Sequence, residues 1–87
     1  MTTVALPATL TLQHTSAALR GVEAALAQGG DLLLDAAAVV DVDTSAVALL
    51  LQARRLAQAR GVGFTLQAVP PKLTALAQLY GVESLLG

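Results

Sequence analysis

Asp43, Thr44 and Ser45 are the residues of this chain whose types and spacing best suit chemistry. They head the segment DTSAVALLL, Asp43 to Leu51, which follows a short apolar run, DLLLD, and a loop, AAAVVDV. An acid and two hydroxyls ahead of an apolar, helically periodic segment predict a helix N-terminus. Asp43, Thr44 or Ser45 can accept hydrogen bonds from the unpaired N–H groups of the first turn. That end of a helix also carries partial positive charge, so it tolerates a carboxylate or a phosphate. An ordinary cap is the simplest use of the triplet, and a phosphorylated hydroxyl is the chemically richer one.

The other candidates are weaker. His14 is the only histidine, and no base–nucleophile pair accompanies it, so a surface or helix-start position is expected. Asp35, Asp41 and Asp43 lack the ligand spacing and glycine of a calcium loop, and capping or loop solvation explains them. Gly29-Gly30 precedes a strand and does not open a helix, so it is no phosphate loop. Arg54, Arg55 and Arg60 fit the flank and C-terminal end of a helix, where positive charge suits the dipole; Arg54 and Arg55 also suit an interface rim. No catalytic residue, metal site or cofactor is expected, and an enzyme is not.

The elements that must position the triplet follow from composition and periodicity. The 87 residues suffice for one small domain, residues 1–87, and not two. The chain is 55% hydrophobic, 13% charged and 2% aromatic, with a formal net charge of −1 and a mean hydropathy of +0.68. No basic patch and no aromatic platform is present, which argues against nucleic acid. The apolar runs are much shorter than the roughly 18–20 residues of a membrane span, and no signal peptide is evident. The absence of cysteine excludes disulfides and thiolate metal sites. A cytoplasmic protein is expected. So much apolar surface on so small a domain suggests that a partner covers some of it.

Thr2 to Leu6 reads as a strand stopped by Pro7, and Ala8 to Thr11 as a turn. Leu12 to Gln28 is a helix with Leu19, Val22 and Leu26 on its core stripe, capped at Thr15 or Ser16 and stopped by Gly29-Gly30. Asp31 to Asp35 is a buried strand, because three consecutive leucines leave no polar face. Thr44 to Arg60 is the second helix, stopped at Gly61. Gly63 to Gln67 is a strand. Pro70-Pro71 opens a third helix with Leu73, Leu76, Ala77 and Tyr80 on one stripe, ended by Gly81. Val82 to Leu86 is a short tail, with an edge strand as one option. This β-α-β-α-β-α order predicts an α/β layer with right-handed crossovers and a mainly parallel sheet.

At 100° per residue the second helix carries two apolar stripes. Ala46, Leu49, Leu50, Ala53, Leu56 and Ala57 form a core stripe. Thr44, Val47, Ala48, Leu51 and Arg55 form another on the opposite side, apolar over its first two turns. That second stripe is either covered within the domain or meets another protein. Ala75 and Leu79 repeat the pattern on the third helix, beside Lys72. An interface of roughly 400–800 Å² per partner is plausible there.

The strand DLLLD, the loop and DTSAVALLLQARRLAQARG together resemble the STAS domain, the fold of anti-sigma factor antagonists and of the cytoplasmic segment of sulfate-type anion transporters. GFTLQAVPPKLTALAQLYGVESLL narrows the likeness to MlaB-type STAS proteins, small subunits of the ABC transporter that maintains outer-membrane lipid asymmetry. The resemblance covers about Val4 to Leu86. TLQ followed by K-L-x-x-L-A-x-L-Y is its most specific part. It implies an α/β STAS fold, a small mainly parallel sheet packed by about three helices. It also implies a non-enzymatic subunit that binds the ATPase of a phospholipid ABC transporter, peripheral to the inner membrane through that complex. Thr44 matches the position that contacts the ATPase in MlaB-type proteins. Together with Ser45, Val47, Ala48, Leu51, Arg55, Lys72 and Leu79 it makes up the expected partner surface, and the spare face leaves a homodimer open. The alternative is an anti-sigma factor antagonist switched by phosphorylation of Thr44 or Ser45. The match departs from the family in three places: a strand usually precedes the one at Thr2 to Leu6, which leaves open a sheet one strand short; Ala46 stands where a glycine is common; and VPP replaces a more polar turn.

Overall fold

A parallel sheet needs a chain that alternates between short extended runs and helices long enough to cross back over it, and this sequence supplies both. The structure is a computed structural model, and it describes residues 2–81. The elements run β1 (Thr2–Ala5), β2 (Thr9–Leu10), α1 (Leu12–Ala27), β3 (Leu32–Asp35), β4 (Asp41–Val42), α2 (Thr44–Ala59), β5 (Phe64–Gln67) and α3 (Pro71–Leu79). Strands β1, β3 and β5 form one parallel sheet in the order β1-β3-β5, and β2 pairs with β4 in a separate parallel ladder. The α/β layer with a small parallel sheet and three helices is thus present.

The register assigns each strand residue to a face. Thr2, Leu32 and Phe64 lie side by side, as do Val4, Leu34 and Leu66. This is the face the helices cover: Leu32 and Leu34 are buried, and Val4, Phe64 and Leu66 pack against the core. The opposite face presents Thr3, Leu33 and Thr65, then Ala5, Asp35 and Gln67. All of these are exposed or half-exposed. The expectation that DLLLD is buried on both faces is therefore corrected. Every crossover in this chain returns on the same side, so one face of the sheet carries no helix among the described residues, and Leu33 sits on it half-buried.

Two short strands replace irregular segments. Thr9–Leu10 was expected to be a turn and Asp41–Val42 part of a loop, yet they pair with one another. The Ala8 carbonyl accepts the N–H groups of both Val40 (2.8 Å) and Asp41 (3.0 Å), which starts that ladder. A two-residue strand has no periodicity to reveal it; only its long-range partner defines it. The ladder matters because it delivers Asp43 and Thr44 to the same end of the molecule as Leu12.

The helix ends follow local rules. Gly61, at φ +68°, ends α2: its N–H reaches the Gln58 carbonyl at 3.0 Å, and the Val62 N–H reaches that of Ala57 at 3.0 Å. This pair of bonds satisfies the last carbonyls and needs a left-handed residue that glycine adopts without a Cβ clash. Helix α1 begins at Leu12, with Thr11 as its N-cap. Thr15 and Ser16, expected as caps, lie inside the helix; the Thr15 hydroxyl turns back to the Leu12 carbonyl at 3.3 Å. Helix α3 opens on Pro71, where a missing N–H costs nothing. The segment Val82 to Leu86 lies outside the described residues.

The core is aliphatic, with Leu6, Leu10, Val22, Leu32, Leu34, Leu50 and Leu73 as its largest fully buried side chains. Each stabilises the fold by about 1.5–3 kcal/mol relative to exposure. No helix is long and apolar enough to cross a membrane among the described residues.

Candidate functional site

Asp43 caps α2 from an extended backbone conformation (φ −135°, ψ −171°). Its Oδ1 accepts the Ser45 N–H at 2.9 Å and also the Ser45 hydroxyl. Its Oδ2 accepts the Leu12 N–H, the first of α1, at 3.1 Å. One carboxylate therefore serves two helix N-termini. Thr11 makes no side-chain cap bond to α1; its hydroxyl lies 3.1 Å from His14 Nδ1. The hydrogen bond from the Ser45 hydroxyl does most to hold the Asp43 carboxyl below its ordinary pKa; partial desolvation opposes it, and the N–H groups of Leu12, Ser45 and Ala46 add to the lowering.

The two hydroxyls of the triplet are consequently unlike. Ser45 is half-buried and committed to Asp43. Thr44 is exposed at the first position of α2, and its Oγ1 lies 3.1 Å from the Tyr80 hydroxyl. Tyr80 is the C-cap of α3 and 51% exposed. It had been placed on the core stripe with Leu73, Leu76 and Ala77. Leu73 and Ala77 are buried there, but the helix ends one residue before Tyr80, and its ring turns toward Thr44 instead. No local signal separates the two placements: the i, i+3, i+4, i+7 spacing fits a core residue, and the partner is 36 positions away.

The second stripe of α2 divides. Thr44, Ala48 and Arg55 are exposed and Leu51 is half-buried, but Val47 is buried at 4% exposure. Val47 belongs to the hydrophobic core and is not available as surface. Arg60 reaches the Leu26 carbonyl of α1 at 3.2 Å, which places α1 along the Leu49 and Leu56 side of α2. Helix α3 also packs on α2, and the bond between Thr44 and Tyr80 joins the start of one to the end of the other. What remains is a narrow outer strip one residue wide per turn, not a broad second face.

Helix α3 extends that strip. Lys72, Ala75 and Leu79 are exposed, Leu79 to 75%. Together with Leu76 and Val42 of β4 they line a shallow, mostly apolar groove of about 430 Å³. Thr44, two residues after Val42, stands at its end with Tyr80 beside it. The structure thus brings Thr44, Lys72 and Leu79 to one surface, continues it along α2 through Ala48, Leu51 and Arg55, and leaves Ser45 and Val47 as supports. Tyr80, Val42, Ala75 and Leu76 are additions that the spacing of the sequence did not single out for the site. Among the described residues no group of three or more His, Asp or Glu side chains is arranged to hold a metal ion.

This arrangement can dock and can position. An α/β layer with a hydroxyl at the exposed N-terminus of its second helix is the architecture of STAS domains. The family described as Mlab, STAS domain matches residues 1–87, and the chain belongs to it, as an MlaB-like STAS protein. No match was found among curated proteins.

Proposed function

We propose that this chain is a non-enzymatic accessory subunit that docks on the ATPase of a phospholipid ABC transporter of the Mla type, on the cytoplasmic side of the inner membrane. The observation that carries this reading is the surface at the head of α2. An exposed Thr44 is bonded to Tyr80 beside an apolar groove from which Leu79 protrudes. Covering Leu79 is worth about 1.5–3 kcal/mol, a gain the isolated chain leaves unused. Lys72 and Arg55 flank the apolar strip, a rim of positive charge suited to acidic residues on the partner. Hydrolysis and transport belong to the partner chains; this subunit stabilises the ATPase and supports its cycling.

The phosphorylation-switched alternative is favoured by one observation, the exposure of the Thr44 hydroxyl. Against it stands the Asp43 carboxylate, which already takes the Ser45 N–H and holds the anion seat at this helix end. A phosphate added at Thr44 would meet that negative charge one residue away.

Affinity purification of the tagged chain from its host, beside Thr44→Lys and Leu51→Asp, tests the reading. An ABC ATPase and permease recovered with wild type and lost with both variants support it. Recovery of a kinase or anti-sigma factor, with stoichiometric phosphate on Thr44, moves the chain to the switched-regulator class. Retention of the ATPase by both variants shows that the docking face lies elsewhere.

A further inference from the structure

Helices α1 and α2 are joined at both ends by the caps of α2. At the start, Asp43 Oδ2 accepts the Leu12 N–H at 3.1 Å; at the far end, the Arg60 guanidinium donates to the Leu26 carbonyl at 3.2 Å. Asp43 is the N-cap of α2 and Arg60 its C-cap, so the two helices start together, end together and run parallel. Between these ends the buried residues, Val22 and Leu26 of α1 and Leu49, Ala53 and Ala57 of α2, are all apolar. Apolar burial is non-directional, so it holds two helices at a distance more firmly than it holds either one in rotation about its axis. The directional bonds at the ends do that. The starting bond lies one residue before Thr44, and Thr44 is bonded in turn to Tyr80 at the end of α3. The head of α2 is therefore the point where all three helices meet.

Resting on the docking reading above, we infer that Asp43 is a positioning residue of the docking face: its bond to Leu12 sets the rotation of the α2 head, and with it the direction in which Thr44 is offered to the ATPase. Helix α1 thus acts on the docking face through this tether. Capping and tethering use different atoms of the same carboxylate. The cap needs Oδ1, which accepts the Ser45 N–H at 2.9 Å; the tether needs Oδ2 as a second acceptor aimed at the neighbouring helix. An asparagine is as good an N-cap as an aspartate, but it has one oxygen and an amide donor, so it keeps the cap and loses the tether. The donor can be deleted as cleanly. Leu12 is the first residue of α1, where an N–H has no partner within its own helix and proline is tolerated. Thr11 before it is already extended (φ −113°, ψ 176°), the conformation a following proline requires. Leu12→Pro therefore removes the N–H and leaves α1 intact, and Leu12→Ala, which keeps the N–H, accounts for the loss of the exposed side chain.

The test is a titration of the full chain with the ABC ATPase purified from the same host, with thermal melts confirming that each variant is folded at the titration temperature. Leu12→Pro is expected to weaken association roughly three- to tenfold against Leu12→Ala, the worth of one hydrogen bond. Asp43→Asn should weaken it similarly against wild type. Combined, they should weaken it no further than either alone, because both delete the same bond; independent effects on stability would not couple in this way. Amide exchange reads the tether in the free chain: the N–H groups of Ser45 and Ala46 should exchange faster in Leu12→Pro than in Leu12→Ala. Equal affinity and equal exchange for Leu12→Pro and Leu12→Ala, or fully additive losses in the double variant, overturn the positioning role. Thr44→Lys separates this failure from failure of the docking reading. If it abolishes association while Leu12→Pro behaves as Leu12→Ala, the docking face stands and only the tether falls. If it changes nothing, the docking face lies elsewhere and the positioning role falls with it.

Discussion

The two flanks of this molecule offer partners different things. The α2–α3 flank presents protruding side chains: Leu79, Tyr80, Thr44 and the cations Lys72 and Arg55. The β1–α1 flank presents a shallow groove lined by Val4, Pro7, Ala17 and Gly21, beside backbone of Thr3 and Ala5 that pairs with no strand but β3 among the described residues. Side chains recognise a particular surface, because each must find its pocket and its charge. Backbone recognises an extended strand of nearly any sequence, and specificity there comes from what is kept away. The first flank therefore offers the features of a dedicated docking face, and the second does not.

Four substitutions test that division. The largest effect is expected from Thr44→Lys, which buries an unpaired charge if the α2–α3 flank is the docking face. It should weaken ATPase association by about 2–5 kcal/mol, thirtyfold or more, in a titration with the purified ATPase. Next, Asp43→Asn should lower the thermal midpoint, since Asp43 holds the starts of both α1 and α2. The wild-type carboxyl has its pKa lowered on folding, so its contribution is present above the unfolded value and lost as pH falls through the folded one. Melts run from neutrality down into the acid range should accordingly show a loss in wild type that is reduced in Asp43→Asn. Third, Ala68→Gly should raise stability by about 0.5–1 kcal/mol, because Ala68 sits at φ +58°, where glycine carries no Cβ penalty. A denaturant titration measures it, and an unchanged midpoint means that α3 already relaxes that turn. The smallest change is Tyr80→Phe, which removes the exposed bond to Thr44 and should cost the isolated chain about 0.5 kcal/mol or less. If the same substitution weakens ATPase association more than it weakens folding, the Thr44–Tyr80 pair belongs to the interface and not only to the fold.

Much of the architecture was readable along the chain. The i, i+3, i+4 rhythm of Leu49, Leu50 and Ala53, the Asp43 cap and Gly61 bounded α2 within a residue, because helix periodicity and helix ends are local. The strands β1, β3 and β5 were placed correctly for the same reason. Leu33 was misjudged because a run of three leucines looks alike whether one face of its sheet is covered or two. β2 and β4 were missed because two residues carry no pattern.

The candidate site shows the same boundary more sharply. Sequence alone determined that Thr44 begins a helix with apolar residues on more than one side, since composition and a 100° step suffice for that. Only the tertiary structure decided that Val47 is interior while Ala48 is not, because that depends on which sides of α2 the other elements cover. It likewise turned Tyr80 from a core position into the partner of Thr44, 36 residues away. Local rules set the orientation of a side chain relative to its own element. Whether that orientation faces protein or solvent is fixed by the neighbouring elements, and that is information no window along the chain contains.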